Sequence, residues 1–284
     1  MDISIIIVNY NSGDFLYNCI KSIQENITGV DVEVIAVDNA SSDNSFTCCR
    51  TLVNDRLHLI QSDTNLGFSK ANNLAAKQAK GLILHFLNPD TRVGIEVSSD
   101  YRQIIDSTKK AELACYVNPL KNRDGSIRYE RNWQLTPENY LKYLLKSNST
   151  RYYYIGASII LPREVYNIIG GWNEAMFMYG EDADLFYQLD RYHIPTVEMP
   201  AIVYHYGGVS SAKTFTGIQH EALIQQSLRT FYRTNHLGLI RYWLLQTMIV
   251  LSFFPHFKRM WWQMKAVRLG NKSSFNWQTD NVKV

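Results

Sequence analysis

Hydrophobic runs and amphipathic stretches alternate along the first 90 residues of the chain. Four runs are mostly apolar: 3–10, 32–39, 57–62 and 81–88, and the first of them is rich in β-branched residues. Three stretches between them carry apolar residues at helical spacing: 14–26, 43–54 and 67–79. Strands that are apolar on both faces and separated by helices are typical of a parallel sheet covered on both sides. The pattern therefore predicts an α/β fold with a Rossmann-like, mostly parallel sheet.

Polar residues crowd the point at which each predicted strand ends. The four ends read NYNSGD, DNASSD, SDTNLGF and NPDT, the last at residues 88–91. Asn-Pro and Pro-Asp are common turn dipeptides, so NPDT alone predicts only a turn. Four polar ends in succession are more than turns require, and ligands of such sheets bind at the carboxyl ends of the strands. We therefore expect a ligand site at this edge of the sheet.

Two common phosphate-binding sequences are absent from the chain. No G-x-G-x-x-G follows the first strand, and no G-x-x-x-x-G-K-[ST] occurs anywhere. These absences exclude the dinucleotide-binding fingerprint and the P-loop. The site must hold its ligand by other means.

The chain after residue 91 is less regular. The sequence NRDGS (122–126) predicts a hairpin turn. Residues 154–174 predict a strand, a short helix opened by Pro162 and a stop at a Gly-Gly pair. An amphipathic helix is predicted over 180–192, and short strands are predicted over 194–208.

Three residues of this second part are candidates for chemistry. Glu181 and Asp182 begin the predicted helix, where acids are favoured by the helix dipole alone. The loop before them, FMYG, is aromatic and carries a glycine, which suits ligand contact. His205 follows a strand, where a histidine most often serves a structural hydrogen bond. Taken singly, these residues leave both the structural and the functional interpretation open.

The motifs taken together have a family resemblance. They are SIIIVNYNSG, VIAVDNASSD, NLGFSKANN, FLNPDT, GASIILPREVYNIIGGWNEAMFMYGEDADL and YHYGG. In this order, over roughly residues 3–208, the chain resembles the inverting GT-A-fold family 2 glycosyltransferases. The similarity is to rhamnosyltransferase-like members that act in bacterial polysaccharide and O-antigen assembly. It implies a GT-A fold and transfer of a sugar, such as rhamnose, from a dTDP- or UDP-sugar.

The resemblance also implies roles for individual residues. Asp182, with Glu181 beside it, would be the catalytic base, and Asp90 and His205 would hold Mg²⁺ or Mn²⁺. The residues implied in substrate binding are Asn9, Tyr10 and Asn11 in the nucleotide pocket, Asp38 at the pyrimidine N3–H, Asn65 and Lys70 near the diphosphate, Asn88, and Trp172 at the acceptor pocket. Asn88 stands where the family's D-x-D motif has its first Asp, which removes one negative charge near the metal. We interpret it as a variant that retains activity with weaker metal affinity.

The C-terminal part is basic and aromatic. Residues 222–279 contain no Asp or Glu. Their cations are Arg229, Arg233, Arg241, Lys258, Arg259, Lys265, Arg268 and Lys272, and the large aromatic residues among them include Trp243, Phe253, Phe254, Trp261 and Trp262. One interpretation is a packed helical appendage with a solvated basic face. The other is an anchor on an anionic membrane surface, which we favour; the high apolar content argues against nucleic-acid binding.

The uncharged run 242–254 spans only about 20 Å as a helix, too short for a simple membrane-crossing segment. No signal peptide is expected, because the N-terminal ISIIIV has no basic leader. Four cysteines without metal-binding spacing indicate reduced thiols in a cytosolic protein.

We therefore predict two parts: a GT-A domain over 1–210 and a helical, membrane-associating extension over 211–284. The expected function is metal-dependent sugar transfer to a lipid-linked saccharide at the inner face of the cytoplasmic membrane, without nucleic acid. Two alternatives remain. A nucleotidyltransferase should have a basic, glycine-rich loop after the first strand, and NYNSGDF has no cation. A non-catalytic sugar-nucleotide-binding or scaffold protein is favoured by Asn88 and opposed by Asp182, Asp90 and His205.

Overall fold

The computed structural model of the chain describes residues 1–207, 217–252 and 257–270. The first part alternates strands and helices as predicted. Its elements are β1 (Ile3–Asn9), α1 (Phe15–Asn26), β2 (Val32–Asp38), α2 (Ser45–Cys48), β3 (Leu57–Gln61), α3 (Phe68–Gln78), β4 (Ile83–Leu87), β5 (Thr91–Val93) and α4 (Val97–Lys109).

The helix predicted over 43–54 is shorter than expected. It consists of α2 and a 3₁₀ turn over Cys49–Leu52. The hydroxyl of Thr47 donates to the carbonyl of Asn44, and that of Thr51 to the carbonyl of Cys48. Such bonds from side chain to backbone compete with a regular helix, and Thr and Cys have low helix propensity.

The second part contains short strands and further helices. The elements up to residue 205 are β6 (Cys115–Val117), β7 (Leu120–Lys121), β8 (Ile127–Arg128), β9 (Arg131–Trp133), α5 (Pro137–Leu144), β10 (Tyr152–Tyr154), β11 (Ser158–Pro162), α6 (Arg163–Ile168), α7 (Glu181–Arg191), β12 (Thr196–Glu198) and β13 (Val203–His205). The C-terminal helices are α8 (Gly217–Thr234), α9 (Leu239–Ser252) and α10 (Phe257–Gly270). The predicted hairpin over 122–126 is present, since β7 and β8 pair antiparallel around it.

The main sheet has the strand order β12-β6-β11-β4-β1-β2-β3. Its pairs are parallel except for β11, which runs antiparallel to both β4 and β6. The sheet is thus mixed, with one reversed strand near its centre. A smaller sheet, β5-β13-β7-β8, lies beside it, and β9 pairs with β10.

The hydrophobic core lies on both faces of the main sheet. Along β1, Ile5 and Ile7 pack on one face with α1 and α4, whereas Ile6 packs on the other with α3 and α7. This alternation is the period of two that a strand imposes on its side chains. It explains why most positions of the central strands are apolar on both faces.

Helix α8 packs against the body of the fold. Leu228 and Phe231 join Met176 and residues of α5 and α9 in a third apolar cluster. The Asn235 Nδ2 donates to the Asp184 carboxylate of α7 at 2.5 Å. Gln188 of α7 donates to the Asn235 Oδ1 at 2.6 Å. The first helix of the C-terminal part therefore supports α7 directly.

Part of the predicted tail lies outside the described residues. Phe253, Phe254 and Lys272 are not described, nor is the side chain of Lys258. Within the described portions of the chain, no helix is both long enough and apolar enough to cross a bilayer.

Candidate active site

A cavity of about 380 Å³ opens at the carboxyl ends of β1 and β4. Seven side chains predicted for the site are in its wall: Tyr10, Asn65, Asn88, Asp90, Glu181, Asp182 and His205. They come from both halves of the sequence, so the sheet brings together residues far apart in the chain. The edge at which a ligand site was expected is the edge at which the cavity lies.

Other predicted residues are placed behind the wall. Asn9 is fully buried, and its Nδ2 donates to Asp38 Oδ1 at 2.8 Å and to Ser45 Oγ at 2.9 Å. The second oxygen of Asp38 accepts from the backbone N–H of Ser41. The Asn11 Oδ1 accepts from the backbone N–H of Ser42. These side chains hold the ends of β1 and β2 together, and the structure gives them no place in the cavity wall.

Lys70 and Trp172 are also outside the wall. Lys70 is exposed on α3. Trp172 is only 2% exposed and packs edge-on against Phe68 and Phe86. Because Phe68 lines the cavity, Trp172 supports the wall from below and does not face a ligand itself.

The metal-binding candidates meet through the smaller sheet. β13 pairs antiparallel with β5, and the register places His205 opposite Thr91. The backbone N–H of Tyr206 donates to the carbonyl of Asp90 at 2.9 Å. As a result, His205 Nε2 lies 3.6 Å from Asp90 Oδ1. The NPDT turn therefore places Asp90 next to the imidazole of His205, which lies 115 residues later in the sequence.

The chemistry of this pair suits a divalent cation. One carboxylate oxygen and one imidazole nitrogen are ligands that Mg²⁺ or Mn²⁺ accepts while keeping positions for phosphate oxygens and water. No cluster of three or more His, Cys, Asp and Glu side chains occurs among the residues described. A cation at this pair would leave coordination positions for the substrate and for water.

Two adjacent acids begin α7 at the cavity. Glu181 and Asp182 follow Gly180, whose φ of 88° lies in the left-handed region that favours glycine. Burial raises the pKa of both carboxyls, and the neighbouring Asp182 charge raises that of Glu181 further. Hydrogen bonds from backbone N–H groups, including that of Ala183, partly offset the rise at Asp182. The pair thus offers one carboxyl that holds its proton strongly and one that ionises more readily.

Gly67 allows the loop before α7 to approach the cavity. A Cβ at this position would lie 2.6 Å from the carbonyl oxygen of Phe177. The next residue, Phe68, donates its backbone N–H to that same carbonyl at 2.9 Å. A larger residue at position 67 would separate α3 from the loop that carries Met178 and Tyr179 into the wall.

Several wall residues were not predicted. They are Val8, Asn39, Phe68, Pro89, Ile155, Gly156, Ala157, Met178, Tyr179 and His220. Asn39 follows Asp38 in DNASSD, so its strand-end position was a usable signal. Phe68, Met178 and Tyr179 lie inside quoted motifs but have no polar pattern to mark them. His220 comes from α8, and nothing in its local sequence indicates that α8 reaches the cavity.

The sequence and the fold are both similar to those of known proteins. The sequence model described as Glycosyl transferase family 2 matches residues 4–168, more than half of the chain. The hexosyltransferase Agl10 of low-salt glycan biosynthesis in Haloferax volcanii is 29% identical over 210 residues, covering 68% of this chain and 63% of that protein. An Escherichia coli protein, UDP-Glc:alpha-D-GlcNAc-diphosphoundecaprenol beta-1,3-glucosyltransferase WfaP, is 32% identical over 88 residues, covering 31% of this chain and 35% of its own. The chain spans less than two thirds of the length of either relative.

Solved structures share the fold. GalNAc-T7 with UDP, GalNAc and Mn²⁺ superposes with a TM-score of 0.61 at 16% identity, covering 82% of this chain and 48% of that one. Staphylococcus aureus TarS 1-349 in complex with UDP-GlcNAc superposes with a TM-score of 0.56 at 18% identity, covering 89% and 73%. At these identities the likeness establishes a GT-A-like α/β fold with a mixed sheet.

Proposed function

Because the chain belongs to glycosyl transferase family 2, we propose that it transfers a sugar, with inversion, from a dTDP- or UDP-sugar to a lipid-linked saccharide. Rhamnose is the donor sugar to which the sequence resemblance points. The names of relatives support the general chemistry: the Escherichia coli protein is named for UDP-glucose and a diphosphoundecaprenol acceptor. The TarS structure contains UDP-GlcNAc.

One observation carries the proposal. Asp182 and the Asp90–His205 pair line the same cavity at the carboxyl ends of the strands. A sugar transferase needs both a group that takes a proton and groups that face a departing diphosphate, and it needs them around one pocket. A non-catalytic sugar-nucleotide-binding protein would not need the buried acid pair.

Asp182 would act as the base. The acceptor hydroxyl oxygen attacks the anomeric carbon while the bond from that carbon to the diphosphate oxygen breaks. The acceptor proton passes to the Asp182 carboxylate, and the electron pair leaves with the nucleoside diphosphate. A single displacement of this kind inverts the anomeric centre.

Asp90 and His205 would hold the cation. A divalent ion there would supply Lewis-acid neutralisation of the negative charge that develops on the leaving diphosphate. Tyr10, Asn65 and Asn88 also line this cavity and would contact the nucleotide and diphosphate. Asn88 contributes an amide oxygen without a charge, so the cation would be bound less tightly than by two carboxylates.

The C-terminal helices would place the enzyme on the inner face of the cytoplasmic membrane, where lipid-linked saccharides are available to a peripheral protein. The described part of α9 and α10 exposes Trp243 and Trp261, and Arg259 and Lys265 are exposed beside them. Aromatic and basic residues together suit an anionic membrane surface.

The donor and metal assignments are tested by binding. We expect UDP, titrated into the full chain by calorimetry, to bind with Mn²⁺ and to lose at least about tenfold in affinity when EDTA is present or in Asp90→Ala and His205→Ala. His193→Ala, an exposed histidine after α7, is the matched control and should bind UDP normally. UDP affinity that is indifferent to chelator would refute the metal assignment.

The transfer itself is tested with a panel of sugar nucleotides. A true donor should raise the melting temperature by mass action, and only an enzyme should then release nucleoside diphosphate from it. Stabilisation without any release, with acceptor present, would favour the non-catalytic alternative.

A further inference from the structure

Helix α5 exposes an apolar stripe on the surface of the protein. Leu141 and Leu144 are 49% and 47% exposed, and Leu145, directly after the helix, is 72% exposed. Their spacing of i, i+3 and i+4 places them on one side of a helix. With Tyr143, which is 44% exposed, the segment has three consecutive exposed apolar residues. Such a run is a poor surface in contact with water alone, so it indicates a partner.

The rest of α5 is held firmly in the fold. Tyr140 is buried in the apolar cluster that α5 shares with α8 and α9. The side chain of Asn139 donates to the carbonyls of Gln134 and Arg151 and accepts from the backbone N–H of Arg151 at 2.7 Å. At the start of the helix, the Thr136 side chain accepts from the backbone N–H of Asn139. The exposed leucines therefore belong to a fixed helix.

Helix α9 lies against α5 and has an exposed apolar side of its own. Arg241 Nη2 donates to Glu138 Oε2 at 2.6 Å, and the Tyr140 hydroxyl donates to Ser252 Oγ at 2.8 Å. The exposed apolar residues of α9 are Leu239, Ile240, Trp243, Leu244 and Leu251. Two of them directly precede Arg241 and Ser252, and successive residues of a helix are about 100° apart. The exposed side of α9 therefore borders its contact with α5.

Basic residues accompany the leucines of α5. Lys142 and Lys146 are exposed, each next in the sequence to one of the leucines. Lysine is depleted in protein–protein interfaces, so a second protein chain is a poor match for this surface. An anionic bilayer suits it better, because leucine side chains enter the apolar part while the lysine ammonium groups stay among the headgroups. Tyr143 suits the same depth, since its ring is apolar and its hydroxyl is polar.

We propose that α5 contacts an anionic membrane directly, with Leu141, Leu144 and Leu145 in the apolar edge of the bilayer and α9 beside it. The inference rests on the proposed membrane-bound function and extends the membrane surface from the C-terminal helices to α5. After α5, the chain continues through β10 into the cavity wall at 155–157. One loop and one short strand thus separate the membrane-contacting segment from the site that a lipid-linked acceptor must reach.

The first test measures partitioning of the full chain to vesicles of phosphatidylcholine and phosphatidylglycerol, at low and at high salt. We expect Leu141→Ser/Leu144→Ser/Leu145→Ser to weaken binding by at least about tenfold at both salt concentrations, because apolar burial is lost and salt does not screen it. The melting temperature of this leucine variant verifies that it folds.

A matched control removes three apolar residues of comparable exposure from other surfaces. Val53→Ser/Ile95→Ser/Ile127→Ser should bind the same vesicles as wild type does, since these residues are 55%, 60% and 51% exposed but lie outside α5 and α9. Equal losses in this control and in the leucine variant would overturn the proposal, because they would show that any exposed apolar residue contributes.

The second test reports on the depth of α5 in the bilayer. An environment-sensitive fluorophore is attached to Leu145→Cys in a Cys48→Ser background, in which the remaining native cysteines are buried. Vesicles should shift its emission to the blue, whereas the same label on Val53→Cys should not respond. Unchanged emission at position 145 would overturn the proposal.

The remaining outcomes separate this inference from its alternatives. Wild-type-like vesicle binding by the leucine variant would overturn it, as would wild-type protein that binds no vesicles. If sedimentation velocity without vesicles shows that wild type self-associates and the leucine variant does not, the stripe is a contact between copies of the chain and the membrane assignment is wrong. Donor hydrolysis in solution is measured in parallel, because its absence would count against the proposed function and not against the membrane contact.

Discussion

At the scale of single residues, the strand-end pattern identified polar groups without distinguishing those that face the cavity from those behind it. Asn9, Asp38 and Asp90 are all buried residues at strand ends or just after them. Asn9 and Asp38 bond to each other, whereas Asp90 meets His205. The difference depends on side-chain direction at the end of a strand and on partners from distant segments. The local sequence specifies neither the direction of the side chain nor its distant partners.

If Asp182 is the catalytic base, turnover should depend on pH through the ionisation of its carboxyl group. Burial raises the pKa of Asp182 to about 6, so its base form should be lost as pH falls through that value. Turnover of wild type should therefore rise with pH through this value, where half of the base form is present, and level off at higher pH. Asp182→Asn should lower turnover by roughly 10² to 10⁴ while UDP binding stays near normal, because an amide cannot accept the proton.

The control for this variant is Asp190→Asn, at the other end of α7, which should retain turnover. Turnover and donor binding are measured for both variants across the pH range. If Asp182→Asn works at near-wild-type rates, Glu181 becomes the candidate base.

The raised pKa of Glu181 should make the stability of the fold depend on pH. The pKa of Glu181 is raised from 4.5 to about 8 in the folded protein, so the folded state binds more protons than the unfolded state between these values. Stability should then fall as pH rises through this window. Glu181→Gln cannot ionise, so it should exceed wild type by at least about 1 kcal/mol at pH 8 and by much less at pH 5.

Urea unfolding at the two pH values measures this difference. Glu164→Gln, an exposed glutamate in the first turn of α6, should show no such pH-dependent gain. A Glu181→Gln effect of equal size at pH 5 and pH 8 would contradict the assignment of a raised pKa.

At the scale of elements, the hydrophobic pattern predicted β1 to β4 and the helices α1 and α3 within a few residues, because long periodic segments carry a strong signal. The helix predicted over 43–54 is the exception, since it is a short helix followed by a 3₁₀ turn. It could not predict that β11 runs antiparallel, since an apolar strand looks the same in both directions. It also did not indicate that α8 packs on α7. An amphipathic pattern shows that a helix has a buried face but not which element covers it.

Arg163, at the start of α6, should be a main contributor to the packing of elements. Its guanidinium donates to the carbonyls of Ala79 and Gly81 at 2.7–2.9 Å, just beyond the end of α3. Arg163→Ala leaves these carbonyls without their charged donor, so we expect a loss of about 2 kcal/mol in unfolding free energy. Arg191→Ala, at the exposed end of α7, should cost less than about 0.5 kcal/mol in the same denaturant titration. Equal losses in the two variants would show that the Arg163 contacts are unimportant.

At the scale of the whole molecule, the sequence predicted both the residues of the candidate site and the basic C-terminal part, because motifs and charge are signals in the sequence itself. The domain boundary predicted at residue 210 stays a prediction. His220 and Ser227 lie beyond it, yet His220 lines the cavity and Ser227 donates to the carbonyl of Met178 in the loop before α7. Contacts of this kind depend on how the chain returns to the sheet, which composition does not specify.

If the C-terminal part after residue 210 attaches to the membrane, its positive charge should contribute to the binding. Replacing Lys258, Arg259, Lys265 and Arg268 with Gln should reduce sedimentation with anionic liposomes, since each cation near such a surface contributes about 1 kcal/mol. Donor hydrolysis in solution should stay unchanged. Added salt should weaken wild-type binding by screening, and the exposed aromatic residues should preserve part of it. Unaltered sedimentation of the quadruple variant would assign the tail to packing or to an oligomer interface.

The bond between Asn235 and Asp184 joins the residue that follows α8 to α7, and it would couple the two ends of the molecule if the C-terminal helices bind a membrane as proposed. Helix α9, which is proposed to meet the membrane, is bonded to α8, and α8 is followed by Asn235, which bonds to the helix that begins with the proposed base. A change in the order of α9 would therefore affect α7 by way of α8. Coupling between two binding events is reciprocal: if vesicles tighten the binding of donor by some factor, donor must tighten the binding of vesicles by the same factor. If that factor exceeds one, the enzyme would remain longest on the membrane when loaded with donor and would leave it more readily after transfer.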